Sequence, residues 1–185
     1  MRRLQLFIAA SLDGYIAGPD GDLSWLFPDA DYGYTPFYER VDTVLMGRRT
    51  YETALSFARW PYAGRRAIVF TRRGDRVVAS PDTIATSRPP AQVVEELRAR
   101  EGKSLWLVGG GELVRACLDA ELVDDVIVAI HPLILGSGTP LVAACTRRTE
   151  LALAAERRHP SGVVQLAYRV ERPLTRGPPQ RHEHP

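Results

Sequence analysis

The chain has 185 residues, 45% of them hydrophobic and 25% charged, a composition that fits one soluble globular domain and argues against a disordered, fibrous or membrane-spanning class. Of its 24 basic residues one is a lysine, Lys103, and the other 23 are arginine; 22 acids leave a net charge of +2, which argues against a nonspecific nucleic-acid binder needing a basic excess on one face. Two distant cysteines, Cys117 and Cys145, make neither a disulfide framework nor a zinc site, and no run reaches the ~20 apolar residues of a membrane span, so a cytoplasmic protein is expected.

Met1-Arg2-Arg3 before the apolar Leu4 to Ala10 has the outline of a signal peptide, but Leu4, Leu6 and Ile8 alternate against Gln5 and Phe7, which predicts a strand over Gln5 to Ala10. Further strands are predicted at Thr43 to Met46, Arg66 to Thr71, Val77 to Ala79, Leu105 to Val108 and Asp125 to His131. Helices are predicted at Thr35 to Arg40, Thr50 to about Phe57, Ala91 to Arg100 and Glu112 to Ala120. The third is the clearest, because Val93, Val94 and Leu97 recur at helical spacing after Pro89-Pro90. In the final third, alternating Leu151 and Leu153, the turn His159-Pro160-Ser161-Gly162 and the run Val163 to Val170 predict an antiparallel hairpin. The expected fold is therefore α/β: parallel β-α-β units first, then a hairpin that closes the sheet. Residues 1–172 form the domain and 173–185 a tail without periodicity. The tail's His182-Glu183-His184 offers no preorganised third ligand, so no metal site is expected.

Three predicted strands end in phosphate-compatible groups. Leu105 to Val108 runs into Gly109-Gly110-Gly111 and a helix; glycines let backbone amides approach a ligand, and a helix N-terminus favours an anion through its dipole and unpaired donors. The spacing is neither a Rossmann fingerprint nor a P-loop. Val44 to Met46 runs into Gly47-Arg48-Arg49-Thr50, and Ala67 to Phe70 into Thr71-Arg72-Arg73. Together they suggest a dinucleotide with an extra phosphate, NADPH in preference to NADH, with Arg48 and Arg72 forking onto the ribose 2′-phosphate.

Four separated motifs then carry a resemblance: Phe7 to Ala17 (with Ser11-Leu12-Asp13-Gly14), Val44 to Glu52, Leu107 to Leu113, and Pro132 to Gly138. Over about residues 4 to 172 the chain resembles the dihydrofolate-reductase-like superfamily, and within it the reductase domain of bacterial riboflavin biosynthesis and its stand-alone relatives. The resemblance implies a three-layer α/β/α fold with a mixed, mostly parallel sheet. It implies nicotinamide beside Ala10 and Ile16, adenosine phosphates on Gly47, Arg48, Arg49, Thr50, Thr71 and Arg72, and pyrophosphate on Gly109, Gly110, Gly111, Glu112 and Leu113. It also implies that Trp25, Phe37 and Tyr51 face a heterocyclic substrate, with core aromatics as the alternative reading of the same rings, and that the chain forms a homodimer. Asp13 is the candidate polar group at the substrate mouth, or else a turn residue; His131 is expected to be a satisfied structural histidine. Asp29, Asp31 and Glu39 lie near the helix that carries a carboxylate in dihydrofolate reductases, but none is in register. The resemblance thus implies, as the first reading, an NADPH-dependent reductase of a pyrimidine- or pterin-like substrate of the riboflavin type, with dihydrofolate reduction and a non-catalytic nucleotide- or heterocycle-binding protein as alternatives.

Overall fold

A computed structural model describes residues 1–72 and 82–171. Ten strands and four α-helices follow in the order β1 (Leu4–Ser11), β2 (Tyr15–Ala17), α1 (Tyr34–Glu39), β3 (Val41–Gly47), α2 (Arg48–Leu55), β4 (Arg66–Phe70), β5 (Thr83–Thr86), α3 (Pro90–Arg98), β6 (Ser104–Gly109), α4 (Gly111–Asp119), β7 (Asp125–His131), β8 (Thr139–Pro140), β9 (Glu150–Arg158) and β10 (Val164–Glu171). Eight strands make one sheet in the order β5-β4-β3-β6-β1-β7-β10-β9. The first six run parallel, and β10 pairs antiparallel with both β7 and β9. This is the α/β sheet closed by a hairpin that the sequence predicts.

Side chains alternate across each strand, so the sheet buries two apolar faces, and a helix pair covers each. On one face Leu4, Leu6, Leu45, Leu105 and Leu107 pack against Val93, Val94 and Leu97 of α3 and Leu113, Val114 and Cys117 of α4. On the other, Val44, Met46, Val69 and Trp106 pack against Phe37 of α1 and Tyr51 and Ala54 of α2. Three layers result. Each fully buried leucine or phenylalanine contributes about 1.5–3 kcal/mol of transfer free energy.

The amino edge of the sheet is fixed by arginine. Arg2, only 8% exposed, donates Nε to the Lys103 carbonyl (2.7 Å) and its Nη2 to Asp42 and to Thr43 Oγ1 (3.0 Å). Arg98, in the last turn of α3, donates to the Leu122 carbonyl and to Asp124 Oδ2, both at 2.6 Å, and the same oxygen accepts the Leu4 amide at 2.8 Å.

Three differences from the sequence reading bear on the site. Helix α2 begins at Arg48, not Thr50, which puts both arginines in its first turn. The predicted strand Val77 to Ala79 lies outside the described residues, and the strand beside β4 is Thr83–Thr86. A second, two-stranded sheet joins β2 to β8, which periodicity could not reveal because Tyr15 pairs with Pro140 across the length of the chain.

Candidate functional site

The carboxyl ends of neighbouring parallel strands are where α/β sheets bind ligands. Here the three phosphate-compatible segments fall on adjacent strands: Gly47 is the Cα partner of Phe70, and Met46 that of Gly109. With strands ~4.8 Å apart, the ends of β4, β3, β6 and β1 define an edge about 14 Å long. A Cβ placed on Gly47 would lie 3.8 Å from the Gly110 nitrogen, and one on Gly110 would lie 3.5 Å from Thr50 Oγ1 and 4.0 Å from Ile16 Cδ1. The bare glycines thus bring α2, α4 and β2 together along one trough at this edge. Gly109 lies against Ile8 and Ile16 and adopts φ +127°, a conformation few other residues accept.

The trough suits an extended anionic ligand. The first amides of α4 and α2 have no acceptor within their own helices and point to the same edge. Arg48 carries a single exposed i,i+4 contact to Glu52 (2.7 Å), while Arg49 and Arg72 are exposed; Arg73 lies outside the described residues. Thr71, at the end of β4, donates its amide to the Thr86 carbonyl (2.9 Å). Glu112 is exposed and pairs loosely with Arg115 (3.4 Å), so it could meet a ligand through its backbone; Leu113 is buried and its amide already donates to the Gly110 carbonyl (2.9 Å).

The segment before α4 is braced from behind by the fourth motif. A Cβ on Gly111 would sit 2.4 Å from the Pro140 carbonyl oxygen, and one on Gly138 would sit 2.1 Å from that of Ala17. Glycine at both places permits the backbones of the first, third and fourth motifs to touch. Leu12 donates its amide to Leu133 (2.9 Å) and Leu141 to Gly14 (2.8 Å). Asp13 completes this knot: its carboxylate accepts the Ser11 hydroxyl (2.6 Å) and the amides of Leu135 (3.1 Å) and Gly136 (2.7 Å). The Ser11 hydrogen bond, helped by the two amides, holds its pKa below the usual carboxylate range, so it is ionised at neutral pH.

Beside β1 the wall is aromatic. Ser11 is the Cα partner of His131, which is 2% exposed and ringed by Trp25, Phe27 and Tyr32 at centroid distances of 5.2, 5.1 and 5.9 Å. His131 Nδ1 faces the Ala129 carbonyl (3.2 Å) and Nε2 the Phe27 amide (3.4 Å), which assigns a neutral ring with its proton on Nδ1. Burial lowers its pKa from 6.5, in keeping with that state. The segment carrying Trp25 is held at its other end by Tyr32, whose hydroxyl bonds Asp29 and Ser161 and whose carbonyl accepts Gln165 Nε2 (2.7 Å).

The remaining aromatic candidates are core residues. Phe37 is 1% exposed and stacks on Phe7 at 4.3 Å, and Tyr51 is 6% exposed against Trp60. Tyr34, which the sequence reading passed over, lies on α1 between Phe7 and Trp106, and burial raises its pKa to about 12. The three acidic candidates near α1 have other tasks: Asp29 meets Tyr32, Asp31 caps Thr35 (3.1 Å), and Glu39 is exposed at the helix end. Among the described residues no helix is long and apolar enough to cross a membrane.

Comparison with known proteins agrees with this geometry. The family model of the RibD C-terminal domain matches residues 2–164. The chain is 36% identical over 171 residues to the uncharacterized protein YwjB of Bacillus subtilis, covering 90% of this chain and 97% of that one, and 31% identical over 179 residues to YyaP of the same organism, covering 90% and 94%. A shorter stretch of 79 residues is 33% identical to a dihydrofolate reductase from Neisseria gonorrhoeae, covering 43% and 46%. A crystal structure from Shewanella sp. PV-4, described as a riboflavin biosynthesis protein, superposes with a TM-score of 0.83 at 28% identity, covering 92% of this chain and 99% of that one. A Thermotoga maritima deaminase/5-amino-6-(5-phosphoribosylamino)uracil reductase shares the fold at 16% identity, with a TM-score of 0.70 over 91% of this chain and 56% of that one. The chain belongs to the RibD C-terminal domain family of riboflavin-pathway reductases, built on the dihydrofolate-reductase-like fold.

Proposed function

We propose that this protein is an NADPH-dependent reductase acting on a pyrimidine- or pterin-like heterocycle, with chemistry like that of 5-amino-6-(5-phosphoribosylamino)uracil reductase. One observation carries the reading: Gly47, Thr50, Gly109, Gly110 and Ile16 converge on one trough at the ends of adjacent parallel strands. The residues fit the cofactor. Gly109, Gly110, Gly111 and the backbone of Glu112 take the pyrophosphate, with Leu113 anchoring the turn from the core, and Gly47, Arg48, Arg49, Thr50, Thr71 and Arg72 take the adenosine phosphates. Ala10 and Ile16 flank the nicotinamide. Bound there, NADPH supplies the hydride, and the chain fixes its direction and excludes water. Trp25 borders the substrate side, while Phe37 and Tyr51 support that side from within the core. Asp13 is ionised and fully engaged, which suits it to holding the loop and not to giving a proton. Asp29 and Asp31 are engaged by Tyr32 and Thr35, and Glu39, the one carboxylate of α1, is exposed at the end of the helix, which favours the pyrimidine reading over folate reduction.

A second copy of the chain is the partner we assign to the outer edge of β9, where Leu151 and Leu153 are 43% and 54% exposed. Such a homodimer working in the cytoplasm matches the chemistry proposed.

The test is titration with NADPH and NADH. An arginine fork on phosphate contributes about 1.5–3 kcal/mol, so NADPH should bind about 10–100-fold more tightly and Arg48→Ala should remove most of the difference. Equal affinities for the two cofactors would refute the arginine assignment. Oxidation of bound NADPH is then followed with a phosphoribosylated aminopyrimidine and with dihydrofolate. Saturable binding without oxidation by any reducible heterocycle would replace the enzyme reading with that of a binding protein.

A further inference from the structure

We infer that Asp13 is a positioning residue whose carboxylate clasps loop 133–138 to the β1–β2 turn and thereby sets the wall of the cofactor trough. The inference rests on the NADPH reading for its purpose but on separate geometry for its substance. Both carboxylate oxygens are used: Oδ1 accepts Ser11 Oγ at 2.6 Å and the Leu135 amide at 3.1 Å, and Oδ2 accepts the Gly136 amide at 2.7 Å. Ser11 Oγ in turn accepts the Tyr15 amide at 2.9 Å, so the clasp reaches β2. Strand β2 holds Ile16 against Gly109 and Gly110, where an added Cβ would meet its Cδ1 at 3.9 and 4.0 Å. Beyond Gly136 the loop continues to Gly138, in contact with Ala17, and to Pro140, in contact with Gly111. One side chain therefore governs both the nicotinamide wall and the brace behind the pyrophosphate turn, although it lies in neither.

The chemistry demands an ionised carboxylate. Three donors converge on two oxygens, which a carboxylate satisfies with lone pairs to spare. Asparagine has one acceptor oxygen, so whichever way its amide lies, an NH2 group faces at least one N–H or O–H donor. Asp13→Asn should consequently behave much like Asp13→Ala and unlike a conservative replacement. A bare turn residue would tolerate asparagine, since both residues favour turns.

The experiment uses the full chain and reads two signals. Amide hydrogen exchange at Leu135 and Gly136 should accelerate at least 10-fold in both variants, while amides in the amino-edge strand pairs, such as Leu105, keep their rates. NADPH dissociation constants should rise about 10-fold in both, with a raised KM for NADPH and a kcat changed less than threefold. Unchanged exchange at 135 and 136, or full NADPH affinity in Asp13→Asn, would overturn the assignment. A wild-type protein that binds no NADPH would refute the cofactor reading instead, and exchange at 135 and 136 would then decide the clasp alone.

Discussion

Gly111→Ala sets two effects of opposite sign against each other. Gly111 begins α4, and alanine within a helix is favoured over glycine by up to about 1 kcal/mol, so local propensity predicts a gain. The structure predicts a loss. The new methyl would lie 2.4 Å from the Pro140 carbonyl oxygen, 3.3 Å from the Ala143 nitrogen and 3.5 Å from the Leu141 carbonyl oxygen. Relaxed carbon–oxygen contacts are about 3.3–3.6 Å, so the two backbones must part by about 1 Å. They cannot part freely, since Leu141 donates to Gly14 at 2.8 Å and Pro140 pairs with Tyr15. Overpacking costs about 1–3 kcal/mol, and a clash this short against backbone belongs to the upper part of that range, about 2–3 kcal/mol, which outweighs the propensity gain and leaves a net loss of about 1–2 kcal/mol. For a chain of this size that lowers the Tm by about 2–8 °C, measured by circular dichroism without cofactor, because a ligand would shift the midpoint itself. Gly47→Ala is the control. Its Cβ would make only ordinary contacts, 3.8 Å from the Gly110 nitrogen and 3.9 Å from the Gly109 oxygen, and the change at an N-cap costs no more than about 1 kcal/mol. Its methyl nevertheless stands before the Gly110 amide and should weaken NADPH binding about 10-fold. A Gly111→Ala protein that melts at or above the parent temperature would refute the close-packing argument.

Leu153→Glu should shift the molar mass found by light scattering from dimer to monomer while the Tm moves by less than about 3 °C, since that side chain is half-exposed in the single chain; a monomeric parent would exclude the β9 interface. His131 gives a pH signature. Its folded pKa lies below the 6.5 of the unfolded chain, so below pH 6.5 the unfolded state binds more protons and stability falls as pH falls, until the folded ring titrates as well. Chemical denaturation across pH 5–8 should show that slope, and His131→Phe should flatten it; a slope identical in the variant would show that other groups set it.

The residues that could be read in advance are those whose signal is local. Strand Asp125–His131 was legible in full because it holds five consecutive apolar residues, Val126 to Ile130, and α3 because Val93 and Val94 stand four and three residues before Leu97. Three glycines after an apolar run marked the turn from β6 into α4 for the same reason. What was not legible depends on partners remote in sequence. Arg2 reads as a charged flank, yet it is buried because Asp42, Thr43 and the Lys103 carbonyl await it about a fifth and more of the chain away. The ring around His131 joins positions 25, 27 and 32 to 131. Asp13 reads as an ordinary Asp-Gly turn, because the donors that define its task are backbone amides at 135 and 136, and a backbone amide leaves no mark in a sequence.

The same distinction separates the arginines. Composition counts all of them alike, whereas the structure divides them by what their donors already hold. At the amino edge Arg2 and Arg98 are nearly enclosed and their donors are occupied by carbonyls and carboxylates; releasing either would strand a buried charge, so neither is available to a ligand. At the carboxyl edge Arg48 is 44% exposed in its side chain and holds Glu52 through one helical i,i+4 contact, an interaction of about 0.3–0.5 kcal/mol. Exchanging Glu52 for a phosphate therefore costs little against the 1.5–3 kcal/mol or so that a charge-assisted fork returns. The donors of Arg48 are thus largely uncommitted, whereas those of Arg2 and Arg98 are committed to the fold.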